Sequence, residues 1–423
     1  MSHRTLKSSY SKLINRINKF PLGAPPSKLL YKILKLLFSE KEAEKVALLP
    51  IRPFTAKRAS QIWKLPLKKT KKILDELAGR AILVDIERGS ENTYTLPPPM
   101  AGFFEFSMMR IRGDINQKLL SELFYQYLNV EEDFIKQLFT GGETHLGRIF
   151  VNEPVLTNEN ATHVLDYERA TQVIKTASHI GVGVCYCRHK MLHLGKACCA
   201  PMNICMTFNY MASSLINANF CCQIEVAEAM ELLQQAYEEN LVQFGENVRE
   251  EVSYICHCCG CCCEALLANK RFGSLHPVHT TNFIPLVNDA NCSGCGKCEN
   301  ICPVDAMTMV YANDSKKKVA RVNDELCLGC GMCVRNCSNK DSLTLASRPE
   351  RVLTPINTTH LSVLMAIERG KFQNMLFDNQ VLHSHRALAA VIGVILRLPP
   401  IKQIMASKQV KSRYLEVLIK KFC

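Results

Sequence analysis

Eight cysteines in the last third of the chain carry the clearest chemistry: Cys292, Cys295, Cys298 and Cys302, then Cys327, Cys330, Cys333 and Cys337. Both runs have the spacing C-x2-C-x2-C-x3-C, written CSGCGKCENICP and CLGCGMCVRNCS. Three thiolates in a tight, glycine-bearing loop suit three corners of a cubane [4Fe-4S] cluster, and the fourth thiolate of each run reaches across to the other cluster. The expected ligand sets are therefore Cys292, Cys295, Cys298 and Cys337 on one cluster, and Cys302, Cys327, Cys330 and Cys333 on the other. Zinc is the competing reading, but it closes a tetrahedron with paired C-x2-C knuckles and needs no third and fourth thiol at these offsets.

A second group precedes them. The stretch CYCRHKMLHLGKACCAPMNIC offers Cys185, Cys187, Cys198 and Cys205 as C-x-C-x10-C-x6-C, with Gly195 and Pro201 at turning positions. Four thiolates from one loop could hold one more [4Fe-4S] cluster. They could equally hold zinc, with His189 or His193 as an imidazole ligand, or remain free thiols. Farther on, CHCCGCCC places Cys256, Cys258, Cys259, Cys261, Cys262 and Cys263 within eight residues. Neighbouring cysteines in an extended chain face opposite sides, so one ordinary cluster cannot use all six. Gly260 would let the chain fold back, leaving open two sites, a shared or unusual cluster, or one cluster completed from the loop around Cys187. Cys199, Cys221, Cys222 and Cys423 read as small buried hydrophobes. His189, His193 and His257 are the nearest acid–base candidates, but a histidine beside cysteines more often supports a ligand than reacts, so no catalytic residue is assigned.

The residues from about Ile284 to Ala346 resemble a bacterial-type two-cluster ferredoxin domain in cysteine spacing, internal duplication and loop glycines (Gly294, Gly296, Gly329, Gly331). Pro303 follows the first run as that pattern asks, whereas Ser338 stands where the second proline would be, which should loosen the second loop.

The elements that position these groups begin with a helix over residues 28–38, whose stripe is Leu29, Leu30, Ile33, Leu34 and Leu37. ASQIWKL follows, then a turn at Pro66 and a helix over 67–79 with Ile73, Leu74 and Leu77 inward and Gly79 as its stop. AILVDIE and TYTL read as strands around the turn RGSEN. From about Lys28 to Leu96 this order resembles a winged helix. If it binds DNA, Lys68, Lys69, Lys71 and Lys72 would face the major groove and Arg88 would touch phosphate; otherwise it is a dimerisation or docking module with solvated lysines. PPPM at 97–100 is a stiff linker, a long helix is expected from about Asn116 to Phe139 and another from Tyr167 to Ser178, and Glu225 to Glu239 reads as a helix. At the C-terminus, LSVLMAIERGKFQNMLFD and SHRALAAVIGVILRLPPI read as amphipathic helices packed under the cluster domain or resting on a membrane or partner.

Composition agrees with an intracellular metalloprotein. Residues 1–80 hold 19 Lys/Arg against 5 Asp/Glu, which accounts for the whole net charge of +13 and points to a nucleic acid, an anionic membrane or an acidic protein. The first residues show no apolar signal segment, so the 22 cysteines are expected to be reduced and cytoplasmic. The longest apolar run, Ala387 to Leu396, is too short to span a bilayer, though peripheral contact stays open.

Taken together, the TLPPPMAGFFEF, CYCRH, ICHCCGCCC and double-cluster segments are similar to an uncharacterised family of multi-cluster iron-sulfur proteins of anaerobic bacteria, which implies electron transfer in anaerobic redox metabolism. The expected fold is α+β multidomain: a basic segment (1–27), a winged helix (28–100), a mainly helical cysteine-rich middle domain (101–283), a ferredoxin-like two-cluster domain (284–346) and a helical C-terminal extension (347–423). The expected function is relay of single electrons through two [4Fe-4S] clusters, with an additional iron-sulfur cluster or zinc in the middle domain, to or from a partner oxidoreductase. A redox-sensing DNA-binding regulator is the alternative.

Overall fold

The computed structural model describes residues 8–88, 91–312 and 317–376; Cys423 and the second amphipathic C-terminal stretch lie outside the described residues. Mixed helix and small sheets make an α+β protein.

The N-terminal elements form for local reasons. Ser27 accepts from the backbone N–H groups of Leu29 and Leu30, starting helix Lys28–Leu37, and its Leu30, Ile33, Leu34 and Leu37 are buried. Ser39 and Glu42 close a reciprocal capping box at helix Glu40–Val46. Helices Ala56–Trp63 and Leu67–Ala78 follow, the second burying Thr70, Leu74 and Leu77 and leaving Lys68, Lys69, Lys71 and Lys72 exposed. Strands Val84–Arg88 and Glu91–Thr95 pair antiparallel, and a two-residue strand, Phe54–Thr55, adds to the second. Gly79 does not supply the left-handed turn expected of a helix stop: it stays helical at φ −60°, and Ala81 takes φ 53° instead.

Two helical expectations change. The segment from Asn116 to Phe139 is not one helix: Gln117–Tyr125 widens into a turn of π geometry over Gln126–Val130, Glu132 takes φ 58°, and a new helix runs over Asp133–Thr140. The wide turn buries Asn129, whose amide donates to Glu264 Oε2 at 2.8 Å while its carbonyl oxygen accepts from Lys190 Nζ at 2.7 Å. In the second case only Ala170–Thr176 is α-helical, preceded by a single 3-10 turn.

The cysteine-rich middle has more helical than strand residues, as expected, and its helices are organised around a six-stranded antiparallel sheet. Its strand order is Gly147–Ile149, Val242–Glu246, Tyr254–Cys258, Asn203–Phe208, Ile180–Val184, Cys222–Gln223. Each strand has at most six residues, and apart from the neighbouring pair Val242–Glu246 and Tyr254–Cys258 the strands pair with partners distant in the chain, so no local alternation announces the sheet. Helix Asn209–Asn217 meets the N-terminal hairpin, where Ser214 Oγ bonds Asp85 Oδ1 at 2.6 Å.

Two antiparallel pairs frame the eight-cysteine unit: Phe283–Val287 with Leu343–Ser347, and Met307–Tyr311 with Lys318–Val322. Beyond it, helix Thr358–Glu368 packs away from that unit. Glu368 accepts from Thr144 N and Oγ1 at 2.9 and 2.6 Å, and Lys371 and Asn374 donate to the Pro21 and Lys19 carbonyls. The described C-terminal helices therefore hold the middle and the N-terminus, through Glu368, Lys371 and Asn374. Among the described residues, no helix is long and apolar enough to cross a membrane.

Candidate metal centres

In the eight-cysteine unit, Gly294 and Gly329 occupy equivalent left-handed positions, φ 73° and 67°. A side chain at Gly329 would collide with the Phe283 carbonyl and the Thr281 hydroxyl, so the second loop demands glycine for space as well as for backbone angle. Electrostatics groups the thiols across the duplication. Burial pushes the Cys330 thiol up to about 12 and raises Cys333 and Cys327 as well, with Cys302 from the other run among the charges acting on all three. Cys298 is raised by burial too, with Cys292 and Cys295 adding to it. Backbone N–H groups point at sulfur: Ala306 at Cys302 (3.2 Å) and Gly329 at Cys327 (3.4 Å). Ser338, in place of the second proline, has a partner, since Lys297 Nζ donates to its hydroxyl at 2.7 Å and ties the two runs together. The two halves differ in exposure: Cys295 is exposed, whereas Cys327 and Cys333 are buried.

The ten middle thiols divide in a way the first loop's spacing does not show. Cys198 does not join Cys185, Cys187 and Cys205; it lies with Cys259, Cys261 and Cys262, the four sulfurs all within 4.8 Å of one another. The sulfur separations are 3.6 Å for Cys198–Cys259, 3.7 Å for Cys261–Cys262 and 3.9 Å for Cys198–Cys262. Cys185, Cys187 and Cys205 instead lie with Cys256, Cys258 and Cys263, close enough to influence one another's ionisation, and all six border one cavity of 1270 Å³. The sheet makes this set: strand Asn203–Phe208 lies between Ile180–Val184 and Tyr254–Cys258, which carries Cys205 to the chain ahead of Cys185 and to Cys256. Cys256 and Cys258 leave the same face of their strand, as alternation requires. CHCCGCCC is thus shared three and three between the two sets.

Residues 291–340 match the family model of the 4Fe-4S dicluster domain. This segment is an iron-sulfur domain of the ferredoxin type. No curated protein and no solved structure matched the chain. The dicluster domain thus covers the eight ferredoxin cysteines, and the middle thiols lie outside it.

Three side chains beside those thiols were not singled out by sequence spacing. Arg188 is fully buried, donating from Nη1 to the Pro201 carbonyl (3.0 Å) and from Nη2 to the His257 carbonyl (2.7 Å). Burial opposes its charge, but Cys185, Cys205, Cys259 and Cys258 outweigh burial and raise its pKa, so the guanidinium serves both thiol sets. Cys259 is drawn down to about 4 by a hydrogen bond from Cys262, with Arg188 contributing. Lys190 and Glu264 form a fully buried ion pair completed by Asn129. Their helices, Tyr186–His193 and Glu264–Phe272, begin directly after Cys185 and Cys263, so this pair fastens one thiol-bearing helix to the other. The visible signal was two basic residues inside CYCRHK and an acid directly after CCC.

Of the three histidines, His189 has a described hydrogen bond. His189 donates from Nδ1 to the Met108 carbonyl at 2.6 Å, and its ring lies 4.9 Å from that of His193. Neither joins the four-thiol set. Burial, with Arg188 beside it, holds His257 down at about 3, so its ring is neutral, and neither ring nitrogen has a partner among the described residues. Of the remaining cysteines, Cys221 is buried as expected, with its thiol pushed up to about 11, but Cys199 and Cys222 are exposed.

Proposed function

We propose that the protein is an electron carrier, moving single electrons between a redox partner at the ferredoxin-type domain and a further iron-sulfur centre held by the six cavity-lining thiols. Bound [4Fe-4S] clusters supply reversible one-electron chemistry, tuned by hydrogen bonds to sulfur, charge and burial. The observation that carries this reading is the placement of Cys302. It acts on the thiols of Cys327, Cys330 and Cys333, and the residue after it, Pro303, abuts the CHCCGCCC loop at Gly260. The buried half of the dicluster domain thus faces the middle thiols, and the half with exposed Cys295 is left for a partner. The six-thiol set has room for a polynuclear cluster, and Arg188 supplies a counter-charge.

Iron and acid-labile sulfide on anaerobically purified protein test this directly. Beyond the eight of each that two cubanes require, about four more are expected, lost in Cys187→Ser and Cys256→Ser. Eight of each in the wild type would confine electron transfer to the dicluster domain.

A second reading has its own observation. Helices followed by an antiparallel hairpin, with four lysines exposed on one helix, support the winged-helix reading, and Asp85 of that hairpin is bonded to Ser214 of the middle region. A change at the thiols could in this reading reposition a DNA-binding surface. It requires salt-dependent DNA affinity that differs between cluster-loaded and cluster-free protein and falls when Lys68, Lys69, Lys71 and Lys72 are replaced by alanine.

A further inference from the structure

We infer that Cys198, Cys259, Cys261 and Cys262 hold a single zinc ion in a tetrahedral tetrathiolate site separate from the iron-sulfur chemistry. Four sulfurs bound tetrahedrally at about 2.3 Å from zinc must stand about 3.8 Å from one another. The separations in this set are 3.6, 3.7 and 3.9 Å, and every pair lies within 4.8 Å. A cubane keeps four irons between its ligands and spreads the thiolates much farther.

The dicluster domain gives an internal comparison. Among the described residues no other group of three or more potential metal ligands is gathered this closely, and that includes the eight ferredoxin cysteines. The six-thiol set also differs: it borders a large cavity, whereas of the compact four only Cys259 touches that cavity. One set leaves space for a polynuclear cluster and the other only for an ion.

The chemistry of the donors agrees. The fully buried Arg188, which donates to the carbonyl of His257 two residues before Cys259, offsets part of the negative charge of four sulfurs on a divalent ion. The site joins residues 61 to 64 positions apart, tying the loop after Gly195 to the CHCCGCCC turn. Zinc has no redox chemistry here. It would tie the loop after Gly195 to the turn, while the cavity thiols keep their own supports, Cys256 and Cys258 on strand Tyr254–Cys258 and Cys263 at the start of helix Glu264–Phe272. The assignment is independent of the electron relay, which uses the other thiols.

The test is zinc and iron per chain in full-length protein purified anaerobically from iron-replete cells, together with zinc-edge X-ray absorption. One zinc per chain with four sulfur neighbours at about 2.3 Å is expected. Cys198→Ser and Cys261→Ser should each remove the zinc and leave iron and sulfide at wild-type levels, while Cys199→Ser, at the exposed neighbouring thiol, should keep all three. If the variants fail to fold, the zinc-edge spectrum of the wild type decides alone. Wild-type protein without zinc overturns the proposal, and so does loss of iron and sulfide in Cys198→Ser or a rubredoxin-like spectrum that this change abolishes. A protein with zinc but only eight irons would refute the third redox centre and leave the zinc site standing.

Discussion

Gly260 lies directly against the backbone of Pro303, so closely that a methyl group there would stand 2.9 Å from the Pro303 carbonyl carbon and overlap its oxygen. Its backbone is not left-handed, so glycine is required here for close approach between two cysteine-bearing segments and not for a turn. Gly260→Ala is therefore expected to cost about 1–3 kcal/mol through overpacking. More specifically, it should separate the dicluster domain from the middle thiols. Iron content would stay near wild type while electron exchange between the centres slows, read as loss of magnetic coupling in EPR and slower reduction of the inner centre. Unchanged coupling would show that the contact is not on the electron path.

Arg188 should be the most sensitive non-cysteine position near the middle thiols. Arg188→Met removes a guanidinium that acts on both thiol sets and leaves negative charge uncompensated in the interior, at a cost of about 3–5 kcal/mol. Where the centre survives, its midpoint potential should move to more negative values, because reduction adds charge no longer offset. Arg188→Lys is expected to rescue poorly, since a single ammonium cannot reach both the Pro201 and His257 carbonyls with the same fork. Redox titration followed by EPR reads both effects.

The Lys190–Glu264 pair predicts strong non-additivity. Glu264→Gln strands a fully buried ammonium and should destabilise by about 3–5 kcal/mol, with loss of iron from the six-thiol set. The double change Lys190→Met with Glu264→Leu removes both charges and should recover most of that loss in urea denaturation. If the double variant is as unstable as the sum of the singles, the pair is not the fastening described above.

Glu105 sets a pH dependence. It borders the cavity, and burial pushes its carboxyl up to about 7 against two opposing backbone hydrogen bonds. Below 4.5, its ordinary value, the group is protonated whether the chain is folded or not, and it imposes no cost. Between 4.5 and 7 the unfolded chain releases the proton and the folded protein keeps it, so stability falls as pH rises. Above 7 the cost is constant, roughly 1–3 kcal/mol given the cavity's access to water. Glu105→Gln should therefore raise the melting temperature at pH 8 and change it little at pH 5, which thermal melts at the two pH values will show.

Ser338 tests the departure in the second ferredoxin run. The Lys297 contact means that the serine holds the two runs together rather than loosening a loop. Ser338→Ala should leave cluster assembly intact and increase the oxygen sensitivity of the dicluster domain, measured as the rate of visible bleaching in air, with Lys297→Met reproducing the effect.

The local features were legible in the sequence because their causes are local. Cysteine spacing and left-handed glycines define each ferredoxin loop within a dozen residues, and the leucine stripe over residues 28–38 marks its helix in the same way. The rest depended on residues far apart in the chain. The pairing of Asn203–Phe208 with both Ile180–Val184 and Tyr254–Cys258 decides which thiols meet, and no short window contains that information. Cys198 therefore left the set its spacing suggested for partners more than sixty residues away. Asn129 likewise broke an expected helix because a buried lysine and glutamate needed its amide. Spacing along a chain determines chemistry when one loop supplies the ligands. When a sheet assembles them, register and burial decide, and only the tertiary structure holds both.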